Sequence, residues 1–314
     1  MLISNHCSGA ISEKINMSYR SPRQQPAFRR RPSLSKPSFS TSRNDLSFSG
    51  RIRASRRTIF VLENINLIVN ANLLQTVVIL DNVTSGIPSN AFYNSSNLNN
   101  ITFGKYVSSI GDRSFYGCAN LLNITIGEGV NSIGVESFSN CNNLQNINIS
   151  NSVATIGDSA FINCPSLPYI VIPNSVKIIG NNCFQGLNIT SVTIGNYVTT
   201  INNNAFADCV NLTTIVIPDS VLTIGDNVFS GCTNLSNVTI GNSVTSIGSQ
   251  CFYNCKNLQS IIIPDSVVTI NNMAFAETNL QNVSIGSGFI NAGSNIFYDS
   301  NIQHLTIKGN YELQ

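Results

Sequence analysis

Nine cysteines are the side chains in this 314-residue chain best equipped for chemistry, and their spacing decides what they can do. Six of them, Cys118, Cys141, Cys164, Cys209, Cys232 and Cys255, recur at one position of a repeat. Cys183 and Cys251 stand just before a recurring Phe, where other repeats carry Ala or Ser. A disulfide framework needs paired spacings, and these are single per repeat. A zinc site needs two close ligand pairs, and no C-x-x-C occurs. Cys251 and Cys255 are four apart, yet each fits its own repeat slot. The expected arrangement is a column of small buried side chains, with no metal.

The remaining chemistry-bearing residues are sparse. The two histidines, His6 and His304, lie near opposite ends of the chain, so no His-centred triad can be assembled. The stretch GEGVNSIG at 127–134 lacks the lysine and the strand–loop–helix setting of a phosphate loop. Asp219 and Asp265 follow an Ile-Pro pair, one carboxylate per repeat, which suits a turn residue better than a calcium ligand. Sequons such as those at Asn123, Asn211 and Asn237 follow from a composition rich in Asn and Thr, and matter only on a secretory route. The expectation is a protein that is not an enzyme and takes no cofactor and no small-molecule substrate.

These residues sit in a chain of two unlike parts. Charged residues make up only 10 % of it, against about 25 % in ordinary domains. Residues 1–57 hold twelve Lys or Arg against two acids, a net +10, while the rest is acidic. That segment is rich in Ser, Pro and Arg without periodic apolar residues, and reads as a disordered basic tail. Residues 58–73 read as an N-terminal cap or lead-in, and 74–314 as a repeat solenoid. The apolar run 59–80 is broken by Glu63 and by Asn and Gln, which argues against a membrane span. No signal peptide opens the chain, so a cytoplasmic location is the expectation from the residues.

The repeat is plain in NLTTIVIPDSVLTIGDNVFSGC (211–232) and NLSNVTIGNSVTSIGSQCFYNC (234–255). Repeats start at Leu74, Leu98, Leu121, Leu144, Leu167, Ile189, Leu212, Leu235, Leu258, Leu280 and Ile302, with a first step of 24 and then steps of 22 or 23. A fixed period in this range means a stacked solenoid, here of about ten coils. The consensus is L-x-x-I-x-I-(G/P)-N-S-V-x-x-I-G-x-x-A-F-x-x-C-x-N. The L-x-x-I-x-I segment alternates as a half-buried strand does, and it should pair with its copies in neighbouring coils. The Val, Ile and Phe positions should fill one continuous core. After the second Ile of V-x-x-I stand Gly111, Gly134, Gly157, Gly180, Asn202, Gly225, Gly248, Asn271 and Gly293. Gly and Asn enter the left-handed region most cheaply, so a positive φ is expected there. Pro88 breaks that rule in the first coil. Asn recurs at the repeat end (Asn97, Asn120, Asn143, Asn188, Asn211, Asn234, Asn257, Asn279, Asn301; Ser166 is the exception). A ladder of Asn side chains bonding backbone groups at the turn into the strand is the expectation.

The L-x-x-I-x-I, V-x-x-I-G and A-F-x-x-C segments resemble the BspA-like, or Treponema-type, leucine-rich repeats over residues 74–307. The resemblance implies a right-handed, curved leucine-rich-repeat stack with a parallel sheet on its concave face. It also implies surface attachment or protein binding without catalytic residues, and hence a cell-surface location as the alternative.

On such a stack the residue between the two Ile of each strand faces outward. In coils ending IP it is Val171, Val216 or Ile262; in the intervening IG coils it is Thr193, Thr239 or Ser284; earlier coils carry Thr125 and Asn148. Apolar and hydroxyl stripes should therefore alternate, either as a passive relic of a duplicated two-coil unit or as a strip for a partner. Three roles follow for the chain: a scaffold holding a protein or peptide on its concave face, a surface adhesin contacting host or matrix proteins, and a basic tail that binds nucleic acid or anionic membrane. In the tail, RRRPSLSKP at 29–37 places Ser33 and Ser35 in a context that basic-directed kinases and phosphoserine adaptors read. Phosphate there would cancel part of the tail's charge.

Overall fold

A computed structural model describes residues 59–62 and 74–309. The basic tail with Ser33 and Ser35, and all of the 58–73 lead-in except 59–62, lie outside the described residues.

Each L-x-x-I-x-I motif forms a strand of three or four residues, from Thr76–Ile79 and Asn100–Thr102 to Asn282–Ile285 and His304–Ile307. Neighbours pair in parallel one coil apart and in register, as Ile215 with Val238 and Val216 with Thr239. An earlier strand, Ile59–Leu62, pairs in parallel with Thr76–Ile79. Parallel pairing of successive strands is what a stack of identical coils produces, since every coil returns the chain to the same side. No helix occurs among the described residues.

The long-strand ladder falls into pieces of five, four and three strands. The first break, between Asn146–Asn148 and Tyr169–Val171, has a local cause. In most other coils the residue after the leading Leu or Ile donates its N–H to the coil before, as Gln145 does to Leu122 at 2.9 Å and Thr190 to Pro168 at 2.9 Å. Pro168 has no N–H to give to Gln145.

A second sheet was not foreseen from the sequence. The two residues before the Gly position, from Ser109–Ile110 to Asn291–Ala292, form nine short strands in one unbroken parallel sheet. The V-x-x-I segment is therefore a strand and its approach, not only a turn.

Between the two sheets lies a single apolar core. Phe92, Phe115, Phe138, Phe161, Phe184, Phe206, Phe229, Phe252 and Phe275 are fully buried, and Phe297 is partly buried at the last coil. Their rings stack in one column with centroids 5.0 to 5.7 Å apart. That spacing follows the strand separation of about 4.8 Å that sets one coil above the next.

The expectation of positive φ at the repeat glycine is wrong. None of Gly111, Gly134, Gly157, Gly180, Gly225, Gly248 or Gly293 has a positive φ. The left-handed residues come two positions later (Asn90, Arg113, Glu136, Ser159, Asn182, Asn204, Asn227, Gln250, Met273, Asn295) and again four residues on, for instance at Asn94, Gly117 and Asp208. The glycine is required by close approach instead: a Cβ on Gly157 would stand 2.7 Å from the backbone N of Val135 and 2.8 Å from the carbonyl carbon of Gly134. Pro88 is accordingly no exception, because its slot never asked for positive φ.

Candidate functional site

The inward side of each long strand supplies the floor beneath the outward row. Ile215 and Ile217 flank Val216 and are 2 % and 1 % exposed, whereas Val216 itself is 62 % exposed. Alternation of the pleat leaves the middle residue no core to enter. Val171 and Ile262 stand out in the same way, at 49 % and 70 %. Thr125, Asn148, Thr193 and Thr239 are exposed and Ser284 is half-buried. Register sets these residues side by side in pairs, Thr125 opposite Asn148, Val171 opposite Thr193, Val216 opposite Thr239 and Ile262 opposite Ser284, with the ladder breaks falling between Asn148 and Val171 and between Thr239 and Ile262. Tyr169, two residues before Val171 on the same face, adds a half-exposed aromatic that no repeat position announces.

Two shallow depressions lie along this row. One, of about 550 Å³, is lined by Val216, Pro218, Asp219, Thr239 and Asn242 with Asn196 at its rim. The other, of about 430 Å³, is lined by Thr239, Asn242, Ile262, Pro264, Asp265 and Lys308 among others. Sharing Thr239 and Asn242, they form one trough that runs along the stack, across the strands.

The acidic residues beside the trough are part of the turn architecture. Asp219 Oδ1 accepts the N–H of Asn242 at 2.7 Å, and Asp265 Oδ1 that of Ser287 at 2.9 Å. Asn174 Oδ1 does the same for Asn196 at 2.8 Å. Each side chain thus satisfies a backbone donor of the next coil while remaining at the surface. The repeat-end asparagines bond one another rather than backbone groups where side-chain partners are seen: Asn143 Nδ2 donates to Asn120 Oδ1 at 3.2 Å, and Asn257 Nδ2 to Asn234 Oδ1 at 3.3 Å. Ser166 instead donates to the Asn142 carbonyl at 2.7 Å.

The six repeat cysteines are buried and unpaired by disulfide. Each thiol donates to the carbonyl of a Phe one coil back, as Cys118 does to Phe92 at 3.2 Å and Cys232 to Phe206 at 3.2 Å. The slot calls for a donor, since Ser300 Oγ donates to the Phe275 carbonyl at 3.1 Å in the last coil, and spacing alone carried no sign of it. Burial pushes the Cys118 thiol up to about 12 and raises Cys141, Cys183, Cys232, Cys251 and Cys255 as well. Such thiols stay protonated and unreactive. Elsewhere Glu136 raises the Arg113 guanidinium through a hydrogen bond of 2.7 Å, and the bond to Glu277 raises Tyr253. Among the described residues no group of three His, Cys, Asp or Glu side chains could hold a metal ion. No helix among them is long and apolar enough to cross a membrane.

A second exposed apolar set lies on the short-strand side: Ile178, Leu222 and Ile290 at 45 %, 49 % and 73 %. The x positions of V-x-x-I contained this signal, but without a recognised second sheet they had no face to belong to.

The BspA type leucine-rich repeat region, in six copies, matches residues 85–213 and 199–313. Among solved structures, the chain is similar to the pneumococcal vaccine antigen PcpA at 20 % identity, covering 76 % of this chain and 69 % of that one with a TM-score of 0.49. It is similar to a leucine-rich repeat protein from Bacteroides ovatus at 27 % identity, 72 % and 76 % coverage and a TM-score of 0.44. A leucine-rich cell surface protein from Faecalibacterium prausnitzii is similar at 26 % identity, 76 % and 80 % coverage and a TM-score of 0.40. No curated protein matches the chain.

Proposed function

The chain belongs to the BspA type leucine-rich repeat family, and on that premise we propose that it is a non-enzymatic scaffold that holds a protein or peptide partner on the exposed face of its long-strand sheet. The observation that carries this reading is the row of outward Val171, Val216 and Ile262, half to two-thirds exposed on strands whose neighbouring residues are buried. Single exposed apolar side chains are ordinary, but Val216 and Ile262 line one trough and Val171 continues the row on the same sheet as Val216, which gives a patch that a partner can cover. Hydroxyls from Thr193, Thr239 and Ser284 interleave with them and supply hydrogen bonds to a bound backbone.

The double substitution Val216→Asp with Ile262→Asp tests the reading. Partner capture should be lost while the circular dichroism spectrum stays that of the parent. Capture that survives both changes would make the alternation a relic of duplication.

Two settings suit such a scaffold, the cytoplasm and the cell surface. Protease added to intact cells separates them: cleavage of the chain places it on the surface, the setting an adhesin needs, and full protection places it inside.

A further inference from the structure

Resting on that reading of the face, we infer that the occupant of the trough is a basic segment in the polyproline II conformation, running along the stack with an apolar residue at every third position. Val171, Val216 and Ile262 lie on every second coil, so consecutive members are separated by two strand spacings, about 9.6 Å. A polyproline II helix has three residues per turn and rises about 3.1 Å per residue, so every third side chain returns to the same face after about 9.3 Å. An α-helix repeats its face over two turns, about 10.8 Å, and drifts out of step by the third anchor. An extended β-strand returns a side chain to one face every about 6.8 Å and meets the row out of phase.

The polar residues agree with the same occupant. A polyproline II backbone has no internal hydrogen bonds, so its amide groups need external partners. Thr193, Thr239 and Ser284 stand between the apolar anchors at the same period, with exposed or half-exposed hydroxyls. Asp219 and Asp265 stand two coils apart on the trough's edge, again at that period, and both are exposed. Cationic side chains between the apolar positions would face them. Among residues 74–309 there are eleven Asp or Glu against five Lys or Arg, so the surroundings carry the complementary sign. Lys308 closes the far end of the trough with the opposite charge and disfavours a cation there, which gives the segment a direction.

The test is fluorescence anisotropy of the full chain with a labelled Leu-Pro-Arg repeat peptide of about twelve residues, long enough to span three anchors. Val216→Ser with Ile262→Ser should weaken binding at least about tenfold, and Asp219→Asn with Asp265→Asn should weaken it several-fold and flatten its salt dependence. Replacing Pro by Ala in the peptide should abolish binding. If the repeat peptide fails while a helical or β-forming peptide binds and is lost in the Ser variant, the polyproline assignment is overturned and the binding face stands. If no peptide binding responds to Val216→Ser with Ile262→Ser, both are overturned.

Discussion

A Cβ built on Gly195 would stand 2.3 Å from the carbonyl oxygen of Pro173 in the coil before it. Gly241 meets Pro218 at the same 2.3 Å, and Gly286 comes within 2.5 Å of the carbonyl carbon of Pro264. Gly127, which follows a glycine coil, meets nothing closer than 3.6 Å. The alternation of IP and IG endings is thus a packing relation: a strand ending in Pro admits only Gly at the same place in the next coil. Leu80 imposes the same demand on Gly104, also at 2.3 Å.

Gly241→Ala is therefore expected to destabilise the chain by about 1–3 kcal/mol, the usual cost of overpacking. Gly127→Ala should be close to neutral. Urea denaturation of the two variants compares them, and equal losses would remove the packing explanation.

Met273 holds a φ of 54°, in a slot where Asn182, Asn204, Asn227 and Asn295 stand in other coils. The left-handed region costs an ordinary side chain about 1–2 kcal/mol. Met273→Asn should recover part of that, raising the denaturation midpoint. A lowered midpoint would mean that the Met side chain contributes more by packing than its backbone loses.

Phe229 is stacked between Phe206 at 5.6 Å and Phe252 at 5.3 Å and is fully buried. Phe229→Ala should cost about 3–5 kcal/mol. Phe28→Ala, in the basic tail, is the control and should leave the melting temperature unchanged. Equal melting temperatures would contradict the repeat register.

The buried thiols give the fold an alkaline limit. Burial raises the folded pKa of Cys141, Cys183, Cys232, Cys251 and Cys255 above a thiol's ordinary range, and that of Cys118 to about 12. The neutral thiol is thus favoured in the folded state. Its contribution is complete below about pH 9 and declines as pH rises toward about 12, by about 1.4 kcal/mol per pH unit per thiol. Denaturation under reductant from about pH 8 to pH 11 should show falling stability, with a shallower slope in Cys118→Ala. Identical slopes would show that Cys118 ionises freely in the folded chain.

The core was legible because it repeats: Leu212, Ile215, Ile217, Val221, Ile224 and Phe229 occupy slots that recur in nearly every coil, and all are buried. The outward row followed from the alternation in a single strand. Other features were hidden by ambiguity of residue type. Glycine serves both positive φ and close approach, and at Gly157 only the distance to Gly134 tells them apart. The short-strand sheet escaped notice because two residues, such as Ser246–Ile247, are too few to show a period. The thiol contact from Cys232 to Phe206 spans coils, and no spacing within one repeat encodes it.

The central claim is that a partner sits on the long-strand face. A photo-crosslinking amino acid placed in turn at Val216, Ile262 and, as a control on the short-strand side, Thr223 tests it in the protein's own cells. The account predicts the same discrete adduct from Val216 and Ile262 and none from Thr223. An adduct from Thr223 alone, or none from either face position, would contradict it.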